Sequence, residues 1–324
     1  MTTTDQQPLG SPFSATTTTA GDVMEGLDLR GRTALVTGGY SGLGLETTRG
    51  LAAAGARVIV PARRPDTART ALRDVEGCEV IAMDLADLGS VHAAAEQISD
   101  RCDRLDILMA VAGVMATPER RVGPGWESQL ATNHFGHFAL TSELYPLLAA
   151  ADRARVVVNS SAGHVLTDIR WHDPHFRTGY DKWLAYGQAK TANALFAVHL
   201  DALGRDDGVR AFALHPGKIL TGLQREMSLQ EQMDRGWVDE HGNVIGAGFK
   251  TPSQGAATGL WAATSPLLDS LGGLYLEDCD VTRVSAPDQP MDDGGVRDYA
   301  IAPDAAARLW ELSVAATGTI PVTR

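Results

Sequence analysis

Three cysteines in 324 residues are few, and Cys78, Cys102 and Cys279 share no CxxC spacing. An odd, sparse set builds no disulfide framework, so a reducing compartment, the cytoplasm, is expected. Runs of 18 or more apolar residues are missing, which excludes a membrane-spanning helix of ordinary length. Positive charge is also short: 28 basic residues face 40 acidic ones, a net charge of -12. That balance excludes nucleic acid and anionic membrane surfaces as partners. The first residues lack the basic and apolar regions of a signal peptide. They are rich in Thr, Pro and Gly and carry little to bury. Residues 1–26 are therefore expected to form a disordered tail, and 27–324 a single domain. No solenoid-length repeat is visible.

From Arg30 onward, short β-prone runs alternate with longer helical ones. Strands are expected at Thr33–Thr37, Arg57–Val60, Glu79–Met83, Leu105–Val111, Arg155–Asn159, Arg210–Leu214 and Gly273–Leu276. Helices are expected at Leu43–Ala54, Thr67–Val75, Leu88–Ser99, from Glu127 to about Leu148, at Trp183–Leu203, and at about Asp304–Ala316. Strands that are apolar along their whole length, each followed by a helix, imply a parallel sheet covered on both faces. With right-handed crossovers this is an α/β fold, a doubly wound Rossmann-type domain with a mostly parallel seven-stranded sheet. Two stretches break the rhythm, residues 162–182 and 217–250. Both follow strand carboxyl ends, the edge where open α/β sheets bind ligands.

Directly after the first strand runs Thr37-Gly38-Gly39-Tyr40-Ser41-Gly42-Leu43-Gly44. Its glycines allow a sharp turn and close approach to a pyrophosphate, and the following helix aims its first amides at the same charge. A glycine-rich turn that opens a βαβ unit makes a dinucleotide the expected ligand. At the end of the second strand stand Ala62, Arg63 and Arg64. A carboxylate there would bind the ribose 2′-hydroxyl; arginines instead suit a 2′-phosphate, which favours NADP(H) over NAD(H). Asp84, after the third strand, is placed to accept from the adenine amino group, to cap the next turn, or both.

These residues, with others further on, resemble the short-chain dehydrogenase/reductase family across about residues 30–280. The turn matches TGxxxGxG, and Asp84-Leu85 matches the adenine contact. Asn133, within Thr132-Asn133-His134-Phe135-Gly136-His137-Phe138, matches the helix asparagine. Ser160-Ser161, Tyr186-Gly187-Gln188-Ala189-Lys190 (YxxxK) and Pro216-Gly217 through Thr221 follow in order. The segment from Asn133 to Phe138 and the spacing from Ser161 to Tyr186 look most like the retinol dehydrogenase and WW-domain oxidoreductase branch, in a soluble bacterial form. The resemblance implies a catalytic set of Asn133, Ser161, Tyr186 and Lys190. It implies a cofactor site of Gly38, Tyr40, Ser41, Gly42, Leu43 and Gly44, then Arg63, Arg64, Asp84, Leu85, Ala112 and Gly113. Tyr186, Lys190, Pro216, Gly217, Ile219 and Thr221 complete that site. One departure is plain. The family's NNAG reads Ala110-Val111-Ala112-Gly113 here, so two side chains that tie the sheet together are lost.

The implied chemistry is alcohol–carbonyl interconversion. Tyrosine titrates near pH ~10. Lys190 lies four residues on, on the same helix face, so its ammonium, together with a positive oxidised nicotinamide, is expected to lower the pKa of Tyr186. Ser161 would donate to the substrate oxygen, and Asn133 would hold a relay water. A non-catalytic NADP-binding sensor or scaffold typically lacks the tyrosine or the lysine, and both are present. An epimerase or dehydratase of the same fold would carry a large carboxy-terminal sugar domain. His172 and His175, near Asp173, lack a closed ligand set, so no metal is expected. His134 and His137 are read as packing or hydrogen-bonding residues. His164 is read either as lining the substrate entrance or as an ordinary loop residue. The apolar groups of 217–250, among them Leu223, Met227, Leu229, Met233, Trp237, Val238, Ile245 and Phe249, suit a small-molecule carbonyl or alcohol of lipophilic, medium-to-large type, or else pack the loop onto the core or form a subunit contact. Related proteins are often homodimers or homotetramers.

Overall fold

A computed structural model describes residues 6–319 of the chain. Eight strands form one sheet: β1 (Thr33–Val36), β2 (Arg57–Ala62), β3 (Cys78–Ala82), β4 (Ile107–Ala110), β5 (Ala154–Asn159), β6 (Val209–His215), β7 (Leu274–Glu277) and β8 (Asp280–Val281). Their order across the sheet is β8-β7-β6-β5-β4-β1-β2-β3. All neighbours are parallel except β8, which pairs antiparallel with β7. The strand order reverses between β1 and β4, and that switch point opens a crevice at the strand carboxyl ends.

The continuous apolar strands are explained by two cores, one on each face. Leu35, Val156, Val158, Ala211 and Ala213 point into one; Ala34, Val36, Val157, Phe212 and Leu214 point into the other. Period-two alternation of small and large apolar groups thus feeds both faces. The helices Leu88–Ser99, Gly136–Glu143 and Lys182–Gly204 cover the first core, and Gly42–Ala53 and Pro252–Thr264 flank the second. The Lys182–Gly204 helix starts where Asp181 accepts from the amides of Trp183 and Leu184 (2.8 and 2.9 Å), a strong N-cap.

Four features differ from expectation. The sheet has eight strands, not seven, because the chain reverses after β7 through Asp278 and Cys279 at φ 52° and 59°. Such a turn normally shows glycine or asparagine, so the two-residue β8 left no signal. The expected helix from Glu127 to Leu148 is broken into Ser128–Leu130, a π-turn at Ala131–Phe135, Gly136–Glu143 and Tyr145–Ala149. Pro146 cannot donate to the preceding turn, which accounts for the break at Leu144. A short hairpin, Arg121–Val122 with Trp126–Glu127, precedes these pieces.

The fourth difference is the amino-terminal segment, which from residue 6 onward is not a disordered tail. Gln6 lies across the sheet edge: its Nε2 donates to the carbonyls of Tyr275 and Thr282, and its Oε1 accepts from the Tyr275 amide. The Asp280 carboxylate accepts from the amides of Leu9, Gly10 and Ser11. A short helix, Ala20–Met24, carries a Thr19–Asp22 capping box and buries Val23 and Met24 in the second core. A few anchors at 6, 20, 23 and 24 suffice, although the composition between them is polar. Residues 1–5 lie outside the described residues. Among the described residues no helix is long and apolar enough to cross a membrane.

Candidate active site

A cavity of about 1080 Å³ runs along the strand carboxyl ends, from Arg63, Arg64 and Asp84 at one end to Trp183, Tyr186 and Trp237 at the other. The turn after β1 shapes its floor. Gly38 and Gly42 have φ of 67° and 51°, and a Cβ on Gly44 would stand 2.3 Å from the Gly38 carbonyl oxygen. Only glycine lets this turn close on itself. Ser41 is the N-cap of the Gly42–Ala53 helix yet makes no side-chain cap hydrogen bond. The first amides of a twelve-residue helix therefore face the cavity uncapped by that side chain, as an anion site requires. Tyr40 and Leu43 line the same wall.

Arg63 and Arg64 are exposed at the end of β2 and make no ion pair among the described residues. Asp84 Oδ1 accepts from the Ala86 amide at 3.0 Å, while the next helix is capped by Asp87 through the amides of Gly89 and Ser90. Asp84 thus closes a turn and still faces the cavity, beside Leu85. Ala112 and Gly113 line the middle, and Pro216, Gly217, Ile219 and Thr221 the far side. Lys218 and Phe249 pair as an isolated bridge, so the long segment leaves and rejoins the fold at one point.

Ser161, Tyr186 and Lys190 meet on one wall. Ser161 Oγ accepts from the Gly163 amide at 3.0 Å, and its carbonyl receives His164 Nδ1 at 2.7 Å and the Tyr275 hydroxyl at 3.1 Å. Lys190 Nζ donates to the Asn159 carbonyl at 2.9 Å and lies 5.6 Å from the centre of the Tyr186 ring. Burial pushes the Tyr186 hydroxyl up to about 12, partly opposed by its hydrogen bond with Ser161. The same burial takes Lys190 down to about 8. In the chain by itself burial dominates the tyrosine and Lys190 Nζ donates to a backbone carbonyl, so the lowering expected from Lys190 together with an oxidised nicotinamide needs the cofactor bound.

Asn133 sits within the π-turn, just behind the wall and fully buried. Its side chain forms two hydrogen bonds with the backbone of Val114, at 2.8 and 2.9 Å. π-turns recur where a helix must present one residue out of step. Here the turn offers Asn133 to the loop that follows β4.

The replaced NNAG has a visible substitute. Thr37 Oγ1 accepts from the amides of Val111 and Ala112 (3.0 and 3.1 Å) and meets His137 Nε2 at 2.9 Å. His137 Nδ1 in turn meets the Asn133 carbonyl at 2.9 Å. The end of β4 is thus tied to the glycine-rich turn and to Asn133 without help from residues 110 and 111. Burial holds His137 down to about 4, so it stays neutral and bridges donor to acceptor. The sequence offered both residues but no reason to pair positions 37 and 137.

His134 bonds Ser313 Oγ at 2.7 Å, as a packing residue would. His164 does not line an entrance. It is fully buried, and its Nε2 accepts from the Arg297 amide at 3.1 Å. The Asp173 carboxylate accepts from the amides of Arg177 and Thr178, and no cluster of metal-ligating side chains occurs among the described residues. In the long segment, Leu223, Trp237 and Phe249 line the cavity, and Met227 packs with Met115 and Ala116 around Tyr186. Val238 is buried off the wall, and Leu229 and Ile245 are exposed. Trp183, one helical turn before Tyr186, lines the cavity as well; an aromatic at the start of a helix carries no site signal in the sequence.

A doubly wound domain with these groups at its switch point defines an oxidoreductase class, and the comparisons agree. The family pattern described as short chain dehydrogenase matches residues 32–232. The chain belongs to the short-chain dehydrogenase family. It is 46% identical over 293 residues to a "Probable oxidoreductase" of Streptomyces lividans, covering 88% of this chain and 97% of the relative. It is 35% identical over 266 residues to mouse "Retinol dehydrogenase 12", covering 80% and 82%. Among solved structures, the Pseudomonas aeruginosa RhlG/NADP complex superposes with a TM-score of 0.61 at 25% identity, covering 77% of this chain and 95% of that one.

Proposed function

We propose that this chain interconverts an alcohol and its ketone or aldehyde with NADP(H), with Tyr186 as acid/base and a lipophilic, medium-to-large substrate. The observation that carries this reading is the wall where Ser161, Tyr186 and Lys190 meet beside an apolar cluster of Met115, Met227, Leu223, Trp183 and Trp237. NADP(H), when bound, supplies or accepts the hydride at its nicotinamide. The residues present fit such a group: the turn Gly38–Gly44 for the pyrophosphate, Asp84 and Leu85 for adenine, and unpaired Arg63 and Arg64 for a 2′-phosphate. Ala112, Gly113 and Pro216–Thr221 are left for the nicotinamide half, with Lys190 within the same cavity for its ribose.

Tyr186 holds its proton at neutral pH, because burial keeps its pKa high. In the reducing direction it is thus armed to protonate a developing alkoxide, and Ser161 donates to the same oxygen. In the oxidising direction positive charge must gather beside it first, and Lys190 is the chain's own source. Asn133, fixed by Val114, would hold the water that relays a proton past Lys190 to solvent. Mouse retinol dehydrogenase 12, by its name, acts on a lipophilic alcohol, which agrees with the cluster around Tyr186.

The test is an absorbance screen at the reduced-cofactor band with NADPH, NADH and a panel of ketones and aldehydes. Bulky apolar carbonyls with NADPH are expected to give the highest kcat/KM. Higher values with sugars or small charged carbonyls would overturn the substrate reading, and equal use of NADH would overturn the cofactor reading.

A further inference from the structure

At the substrate end of the cavity stands a cation that makes no ion pair among the described residues. Arg235 follows the short helix Leu229–Asp234, and its Cζ lies 3.8 Å from the centre of the Trp183 ring and 5.6 Å from that of Trp237. The two indoles meet edge to face at 6.5 Å, so the guanidinium rests in an aromatic corner. Two nearby carboxylates are already paired, and the exposed Asp234 makes no ion pair with Arg235 among the described residues. Glu231 binds Lys182 at 2.7 Å, Glu226 binds Arg120 at 2.9 Å, and Asp234 accepts from Gln230 at 2.7 Å. Among the described residues Arg235 has ring contacts and no ion pair. The other cations at this end are engaged otherwise: Lys250 with Asp278, Lys218 with Asp292 at 3.8 Å, and Arg225 with the Gly222 carbonyl.

We propose that Arg235 is a substrate-selecting residue: it takes an anionic group, a carboxylate, carried on a planar apolar body that lies against Trp183 and Trp237. Stacking orients the guanidinium plane and leaves its edge donors free, the arrangement that suits bidentate capture of a carboxylate. Trp183 lies one turn before Tyr186 on the same helix and packs in the same cluster. A body spanning this corner therefore has its other end near Tyr186. The net charge of -12 makes a local cation the more telling, since the rest of the surface repels such a ligand. The substrate class becomes an amphiphile, apolar in the middle and acidic at the outer end. This rests on the reading that the cavity beside Tyr186 receives the substrate.

Calorimetric titration of the NADPH-loaded protein with 2-naphthoate and with neutral, near-isosteric 2-naphthamide tests it without turnover. The wild type is expected to bind the acid about 10-fold more tightly than the amide. Arg235→Gln should erase that preference, Arg235→Lys should keep part of it, and Arg235→Glu should invert it. An acid bound no more tightly than the amide by the wild type would overturn the proposal, as would an unchanged acid-to-amide ratio in Arg235→Gln. Kinetics with a naphthyl ketone bearing or lacking a carboxylate separates the two readings. If neither ketone consumes NADPH while the binding preference holds, the catalytic reading fails and the anion site stands.

Discussion

The two ends of the cavity are built from different material. The cofactor end is backbone: a turn whose glycines touch carbonyls, uncapped helix amides, and loops that begin where strands end. All of it comes from short contiguous stretches of sequence. The substrate end is side chains gathered from Met115, Trp183, the segment from Leu223 to Phe249, and Met291. Backbone built to admit a phosphate leaves a local imprint, because few residues tolerate positive φ or so close an approach. Side chains that share a wall leave none, because any apolar residue in any loop would read the same.

Substitutions should separate the two ends, beginning with the largest effect. Gly44→Val places a Cβ 2.3 Å from the Gly38 carbonyl oxygen. The turn must open, and calorimetry should find NADPH binding weakened by about 100-fold or more. Unchanged NADPH affinity would break the claim that backbone makes that end. Arg63→Ala should be milder and selective. An NADPH preference of about 10- to 1000-fold should erode while NADH affinity barely moves. Loss of both in parallel would mean that the arginine serves the fold instead. Trp237→Ala, at the other end, should raise KM for a bulky apolar ketone by about 10-fold and leave NADPH affinity alone. If kcat/KM did not change, the segment would be packing rather than wall.

The smallest expected effect falls where the ends meet. Lys190 has its pKa lowered from 10.5 to about 8 by burial. Between those values the unfolded chain holds a proton that the folded chain has lost, so this residue makes stability rise with pH across the window. Below about pH 8 both states are protonated and the stabilisation is gone. Chemical denaturation at pH 7.5 and 9.5 should show the rise in the wild type and a smaller one in Lys190→Met. Equal slopes would place Lys190 in a wetter setting than its burial implies.

Legibility followed the same divide. The strands of a mostly parallel sheet, the long helix that carries Tyr186 and Lys190, and the glycine-rich turn could be read from apolar runs and glycine spacing, and the other positions lining the cofactor end from the family resemblance. The amino-terminal arm could not, since Gln6 acts by mimicking a strand partner for Tyr275, and one glutamine in a polar stretch carries no period. The π-turn at Asn133 was hidden because a helix with one extra residue per turn keeps its composition. The Thr37–His137 link and the His164–Arg297 contact join positions a hundred or more residues apart. Periodicity and spacing report nothing at that range.

The account turns on Tyr186 as proton carrier rather than as a buried ring that shapes the wall. Tyr186→Phe measured twice, by NADPH calorimetry and by kcat on the best ketone, decides between them. The account predicts NADPH affinity within about two-fold of wild type and kcat lower by about 100-fold or more. Retention of more than about a tenth of wild-type kcat, a barrier change under ~1.4 kcal/mol, would contradict it.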